Sequence, residues 1–329
     1  MSEKMRNITY AQAIRTAIRE GMKRDEKVVL FGEDIGFYGG VYGCTTGLQK
    51  EFGTARVKDT PISEMAIGGM AVGLALAGYR PIAEIMYCDF LAHAADAIVN
   101  NAAKWRYMSG GQFTVPAVFR SPAGGGAGYA AQHSQNLEAW FCHIPGLKVV
   151  MPGLPRDARG LLKSAIRDDN PVVFIEHKGH YSYKGDVPSE EEIIPLGVAD
   201  VKRTGSDVTL IAWSKTLTFA LDAVEQLAAE GIDVELIDPR TLVPLDMETI
   251  NNSVAKTGRL IVAHEAVEFA GFGAEIVAQV TAQAWDSLKQ APLRIAAPFV
   301  PHPYSHPMET FVVPQVEDIV AGVKQYLKA

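Results

Sequence analysis

The chain predicts an α/β protein built as two parts, each a doubly wound and mostly parallel sheet. Three observations carry this. Short apolar runs such as Val28-Val29-Leu30-Phe31 alternate with helix-length amphipathic segments. The segments after these runs are rich in glycine, as expected where strands empty into loops. The length of 329 residues exceeds what a single hydrophobic core usually serves. The expected division is residues 1–187, a linker over 188–206, and residues 207–329. The linker is read from Pro188, Glu190-Glu191-Glu192, Pro195 and Gly205. The halves share an architecture without a fixed-period repeat.

Taken in order, a helix is expected over residues 10–22, capped by Thr9, with Ala13, Ile14, Ala17 and Ile18 on one face. The strand at 28–31 follows, then a glycine-rich loop to Gly47. Asp59-Thr60-Pro61-Ile62-Ser63-Glu64 opens the segment around which the chain is organised, since residues 65–78 are almost all apolar or small. Ser63 is the expected cap and Gly78 the left-handed stop. Gly68, Gly69 and Gly73 disfavour this helix intrinsically, so close approach by a neighbour must justify them, and the helix is expected to be buried. Two readings of Glu64 stand at this point: a first-turn residue that suits the helix dipole, or a working carboxylate in a dry pocket.

Next come a strand at 81–87, one long helix over 89–107, a strand at 115–120, and the loop Gly124-Gly125-Gly126-Ala127-Gly128 leading to Gln132-His133-Ser134-Gln135. Strands at 147–151 and 172–176 flank a helix around 157–167, giving about six parallel strands. Beyond the linker, strands at 208–213, 234–237, 260–264 and 293–296 alternate with helices, the last over 315–327.

Composition narrows the function classes. With 48% hydrophobic and 21% charged residues the chain is globular, and a formal charge of −7 without a Lys/Arg cluster argues against nucleic acid as a partner. Cys44, Cys88 and Cys142 form no metal or disulfide pattern, so reduced thiols are expected. No apolar stretch is long enough to span a membrane, and the cytoplasm is the expected location.

No dinucleotide or P-loop fingerprint is present, nor the Gly-Asp-Gly followed by Asn that marks a diphosphate and Mg²⁺ site of thiamine enzymes. His133, after a glycine loop, is either a proton-handling group or a capping or core histidine. His177 and His180 stand at another strand exit and could line the same cleft; His264, before Glu265, carries less weight. Asp168-Asp169-Asn170-Pro171 is either a plain turn or part of a cation site with the carbonyls of Ala165 and Ile166. Tyr87 and Phe90 are either core or a platform for a planar ring.

Six stretches together, Asp59-Thr60-Pro61-Ile62-Ser63-Glu64, Met108-Ser109-Gly110-Gly111, Ala131-Gln132-His133-Ser134-Gln135, Pro145-Gly146-Leu147-Lys148-Val149-Val150, Asp238-Pro239-Arg240-Thr241 and Lys256-Thr257-Gly258-Arg259, resemble the beta subunits of thiamine-diphosphate-dependent 2-oxo acid dehydrogenase complexes, of pyruvate, acetoin or branched-chain type. The resemblance spans nearly the whole chain. It implies a transketolase-like pyrimidine-binding domain followed by a smaller C-terminal domain. It also implies an alpha subunit that holds the cofactor's diphosphate and Mg²⁺ in an α2β2 assembly, and a lipoyl acyltransferase core that receives the acyl unit from the small-molecule substrate. Glu64 matches the glutamate that contacts the aminopyrimidine N1′ and drives its imino tautomer. Phe90 matches the aromatic packed on that ring, Ile62 and Met86 fall among its neighbours, and His133 matches the histidine at the channel mouth. Ala117, Ala165, Ile166, Asp168 and Asn170 align with a potassium site of some members. Met86, where branched-chain members resemble Gln, and the glycine loop lean toward pyruvate or acetoin. A self-sufficient transketolase relative and a silent assembly subunit are the rival readings.

Overall fold

A computed structural model describes residues 5–328. The larger sheet runs β1 to β7 in chain order as Val28–Gly32 (β1), Val57–Asp59 (β2), Arg80–Glu84 (β3), Val118–Ala123 (β4), Lys148–Val150 (β5), Val172–His177 (β6) and Thr241–Val243 (β7). Their spatial order is β7-β5-β6-β4-β3-β1-β2. Six of these are parallel, as the alternation with helices requires, and β7 joins antiparallel at one edge. Strand periodicity sorts the core: Val28 and Leu30 pack with the helices Tyr10–Arg24 and Pro155–Arg167, whereas Val29 and Phe31 face the layer containing Ile67, Ala71 and Ala75. Thr9 and Gln12 close a reciprocal capping box on the first helix.

The second sheet has five strands, with Asp200–Arg203 antiparallel at its edge beside Val234–Asp238, then Val208–Ala212, Leu260–Val267 and Leu293–Ala297. Two segments therefore cross the division expected from sequence. Residues 200–203 are an edge strand rather than open linker, and residues 241–243 return to the first sheet. Met5–Thr9 pairs antiparallel with Lys184–Pro188 in a separate ribbon. Among the described residues no helix is long and apolar enough to cross a membrane.

Three local expectations need correction. The helix Glu64–Leu76 ends as predicted, with Gly78 at φ +90 while Tyr79 N–H donates to Leu74 O and Gly78 N–H to Ala75 O, the paired bonds of a left-handed stop. It does not begin as predicted, because the Ser63 side chain makes no capping bond. Nor is it wholly buried: Gly68 lies against the Cβ atoms of Ala94 and Ala97, whereas Met65 is 71% exposed and nothing approaches Gly69 or Gly73. The long helix expected at 89–107 is broken into a 3₁₀ turn at Cys88–Ala92, a wide π turn at Asp96–Ala102 and a short α segment at Trp105–Met108. The Asn101 amide reaches back five residues to Asp96 O and its carboxylate, which matches the wider turn.

Candidate active site

Because six strands run parallel, their C-terminal ends share one edge, and the loops there gather the candidate residues. Glu33 follows β1, Glu64 opens its helix after β2, Met86 to Phe90 follow β3, the arm 124–135 follows β4, and His177-Lys178 ends β6. Glu64 is 8% exposed and its Oε2 lies 3.4 Å from His93 Nδ1. The His93 ring tilts against Phe90 at 5.6 Å between centroids, and Phe90 stands perpendicular to His133 at 5.1 Å. Glu64, Phe90 and His133 are thus brought together through His93, which sequence reasoning did not single out. Met86 is buried, whereas Ile62 is 81% exposed.

Glu33 adds a perturbed carboxyl to this edge. Burial, followed by the neighbouring carboxylates Glu64, Asp34 and Glu84, pushes Glu33 up to about 7. Its Oε1 is buried without a hydrogen-bond partner. An uncompensated carboxyl oxygen, an almost buried carboxylate and an aromatic face on one wall fit a planar heterocycle with ring-nitrogen and amino groups. Among the described residues no group of three or more His, Cys, Asp or Glu is arranged to hold a metal ion.

Behind the edge, Arg120 at 1% exposure lies among three strands. It donates through Nη1 to Glu84, and through Nε and Nη2 to the two oxygens of Glu176 at 2.6 and 2.8 Å. Tyr181 adds a bond to Glu176 at 2.8 Å. The sequence signal for this triad is only that otherwise largely apolar strands carry Glu84, Arg120 and Glu176.

His177 and His180 do not join the Glu64 cleft. Gly179 N–H donates to His177 Nδ1 at 3.0 Å, which leaves Nε2 protonated and 2.7 Å from Glu265 of the second domain. Burial opposes the charge on Glu265, but His177 and the N–H donors of Gly125 and Asn136 overcome it and hold the carboxyl down to about 2. His180 is fully buried with its ring against Tyr10 and His177. His264 stacks on Trp213 at 5.1 Å, and burial pushes it down to about 4. Gly124 makes this junction possible, since at φ +87 a Cβ there would fall 1.9 Å from His177 Nε2. Gly124→Ala is expected to cost about 1–3 kcal/mol from the backbone conformation alone, read as a lowered thermal midpoint. An unchanged midpoint would contradict the packing described.

The residues aligned with potassium lie in a hydrogen-bonded turn next to Arg80 and Lys148. Arg80 donates to the carbonyls of Ile166 at 3.3 Å and Asp168 at 3.0 Å, and Val172 N–H to Ala117 O. The Asp168 carboxylate accepts from Lys148, from Asn170 N–H at 2.8 Å and from its Nδ2 at 3.0 Å, and Asp168 N–H donates to Ala165 O. Despite burial, these donors hold Asp168 below its ordinary value. The 168–171 turn accounts for the bonds within it, from Asn170 N–H and Nδ2 to the Asp168 carboxylate.

Comparison with known proteins adds a family context. Residues 6–184 match the pyrimidine-binding domain of transketolase and residues 197–319 its C-terminal domain. The chain is 48% identical to the pyruvate dehydrogenase E1 component subunit beta of Rickettsia conorii, over 97% of this chain and 98% of that protein. It is 45% identical to the protein of the same name from Bacillus subtilis, over 98% and 100%, and 45% identical to the mitochondrial one from Bos taurus, over 97% and 90%. Among solved structures, a split-gene transketolase described as an inactive β4 tetramer superposes with a TM-score of 0.81 at 24% identity, covering 98% of this chain and 99% of that one, a likeness of fold.

Proposed function

Since the chain belongs to the family of pyruvate dehydrogenase E1 component beta subunits, we propose that it supplies the pyrimidine-binding half of a thiamine diphosphate site completed by an alpha subunit. The assembled enzyme decarboxylates pyruvate, or cleaves acetoin, and passes the acyl unit to a lipoyl group on an acyltransferase core. Bound thiamine diphosphate supplies the carbanion chemistry that cleaves the bond next to a carbonyl. This chain's residues prepare it. Glu64 holds a proton against the pyrimidine ring nitrogen, Phe90 packs on the ring, Met86 walls the pocket from water, and Ile62 covers the ring from its exposed position beside Glu64. His133, at the mouth, positions the incoming group and exchanges protons with it.

The observation that carries this reading is the convergence of Glu64, Phe90 and His133 through His93 at one strand edge. The open stripe of Met65, Gly69 and Gly73 supports a second chain that covers the site. The diphosphate and Mg²⁺ are assigned to that alpha subunit, in an α2β2 heterotetramer, with the C-terminal domain toward the acyltransferase core. A potassium ion held by Ala117, Ala165, Ile166, Asp168 and Asn170 stays part of the proposal, beside the hydrogen bonds that Arg80 and Lys148 make to Asp168.

Calorimetry tests the half-site. Thiamine diphosphate with Mg²⁺ is expected to give no binding heat with this chain alone and a saturable isotherm once the alpha partner is added. Tight binding to the lone chain would refute the division of the site.

A further inference from the structure

Lys178 follows directly after β6 and is 6% exposed, although nothing in its sequence context marks it as more than a polar strand exit. Its Nζ lies 4.8 Å from the Tyr87 ring centroid and 5.4 Å from that of Tyr129, and it donates to the backbone carbonyl of His133. Tyr87 belongs to the segment that carries Phe90, and Tyr129 to the glycine-rich arm that carries His133. The two tyrosines are themselves stacked at 6.0 Å, and Tyr87 meets the His133 ring at 5.5 Å. One ammonium therefore bridges three separate segments. A second tie runs parallel to it: Asp89 Oδ1 accepts from the N–H and the side-chain amide of Gln135, at 3.1 and 2.9 Å.

We propose that Lys178 is a positioning residue for His133: its ammonium, enclosed by Tyr87 and Tyr129, fastens the arm over residues 124–135 to the wall carrying Phe90. The proposal rests on the reading of His133 as a group at the channel mouth and deepens it. The arm needs such a tie because Gly124, Gly126 and Gly128 all have positive φ and leave it little intrinsic stiffness. The Glu309 carboxylate holds the arm's near part through Gly126 and Gly128 N–H, and the far part depends on Lys178 and Asp89. A cation over an aromatic face is stabilised by the ring quadrupole, the more so when water is excluded, and a charged donor strengthens the bond to the carbonyl.

The groups facing Lys178 are Asp89, Glu265, Glu309 and Cys88, together with the two tyrosines. Burial drives its ammonium down to about 8, against the pull of Asp89 and Glu265. As pH rises through that value the charge is lost, and with it the attraction to both rings and the strength of the bond to His133.

Two measurements on the complex with the alpha partner separate the clamp from its use. Hydrogen exchange over residues 124–135 reads the clamp: Lys178→Met is expected to speed exchange there and nowhere else, and Lys178→Arg to retain protection. Unchanged exchange in Lys178→Met would overturn the proposal, and if that variant assembles poorly, the pH dependence of exchange in the wild type decides. Protection of the arm should fall as pH passes about 8 in the wild type, beyond the intrinsic acceleration, and not in Lys178→Arg. Steady-state kinetics with pyruvate read the use. Lys178→Met should lower kcat/KM by about 10- to 100-fold with a flattened alkaline limb, and Lys178→Arg should restore it with the limb moved upward. A freed arm with unaltered kinetics would leave the clamp standing and remove His133 from the reaction, which distinguishes failure of the proposal from failure of the functional reading.

Discussion

Glu64→Gln in the complex with its alpha partner is expected to lower turnover by about 10²- to 10⁴-fold while assembly and thiamine binding persist. The amide keeps the size and nearly the shape of the carboxyl, so the contact of the helix start with His93 is preserved. What it removes is the capacity to hold and return a proton at a ring nitrogen. Glu33 stands on the same edge, after a different strand, with its carboxyl pushed up to about 7 by burial and then by Glu64. Loss of the Glu64 charge also relieves Glu33, so the variant should show Glu33 titrating at lower pH, a direction readable by carboxyl NMR. Activity within a few-fold of wild type would remove Glu64 from its assigned role.

Arg120→Met is expected to destabilise the folded chain by about 3–5 kcal/mol, read as a lower urea midpoint with an unchanged slope. The reason lies in what remains. Glu84 is 6% exposed and Glu176 fully buried, and both lose their guanidinium partner at once. Burial already raises the Glu84 carboxyl even with Arg120 present, which partly counters the rise. Without the cation Glu84 should bind a proton more readily in the folded state than in the unfolded one. Stability then falls as pH rises above the ordinary carboxylate range, so the variant should recover toward acid and worsen toward alkali. Adding Glu84→Gln and Glu176→Gln should restore much of the loss. A variant that unfolds at the wild-type midpoint would show that the triad contributes nothing.

The sequence made much of the scaffold legible because strand and helix periodicity are local properties. Five of the six parallel strands of the larger sheet, the Thr9 cap, the Gly78 stop and the glycine arm before His133 were all readable from neighbours a few residues apart. The broken helix after Cys88 was not, since its residues have ordinary helical periodicity and the wide turn follows from Asn101 folding back on Asp96. Edge strands at 57–59, 200–203 and 241–243 were equally hidden, being too short to show a period.

Local pattern set the kind of layer each segment joins and the end of the sheet at which the candidate side chains gather. Which of them touch follows from the packing of distant segments. His177 meets Glu265 across 88 residues of chain and Lys178 meets His133 across 45; such pairings depend on how strands order themselves in a sheet, which no local pattern encodes. The glycine helix shows the same division most plainly. Its apolar composition demanded burial, and the fold buries one face against Ala94 and Ala97 while leaving Gly69 and Gly73 open, because a single chain offers nothing else to cover them.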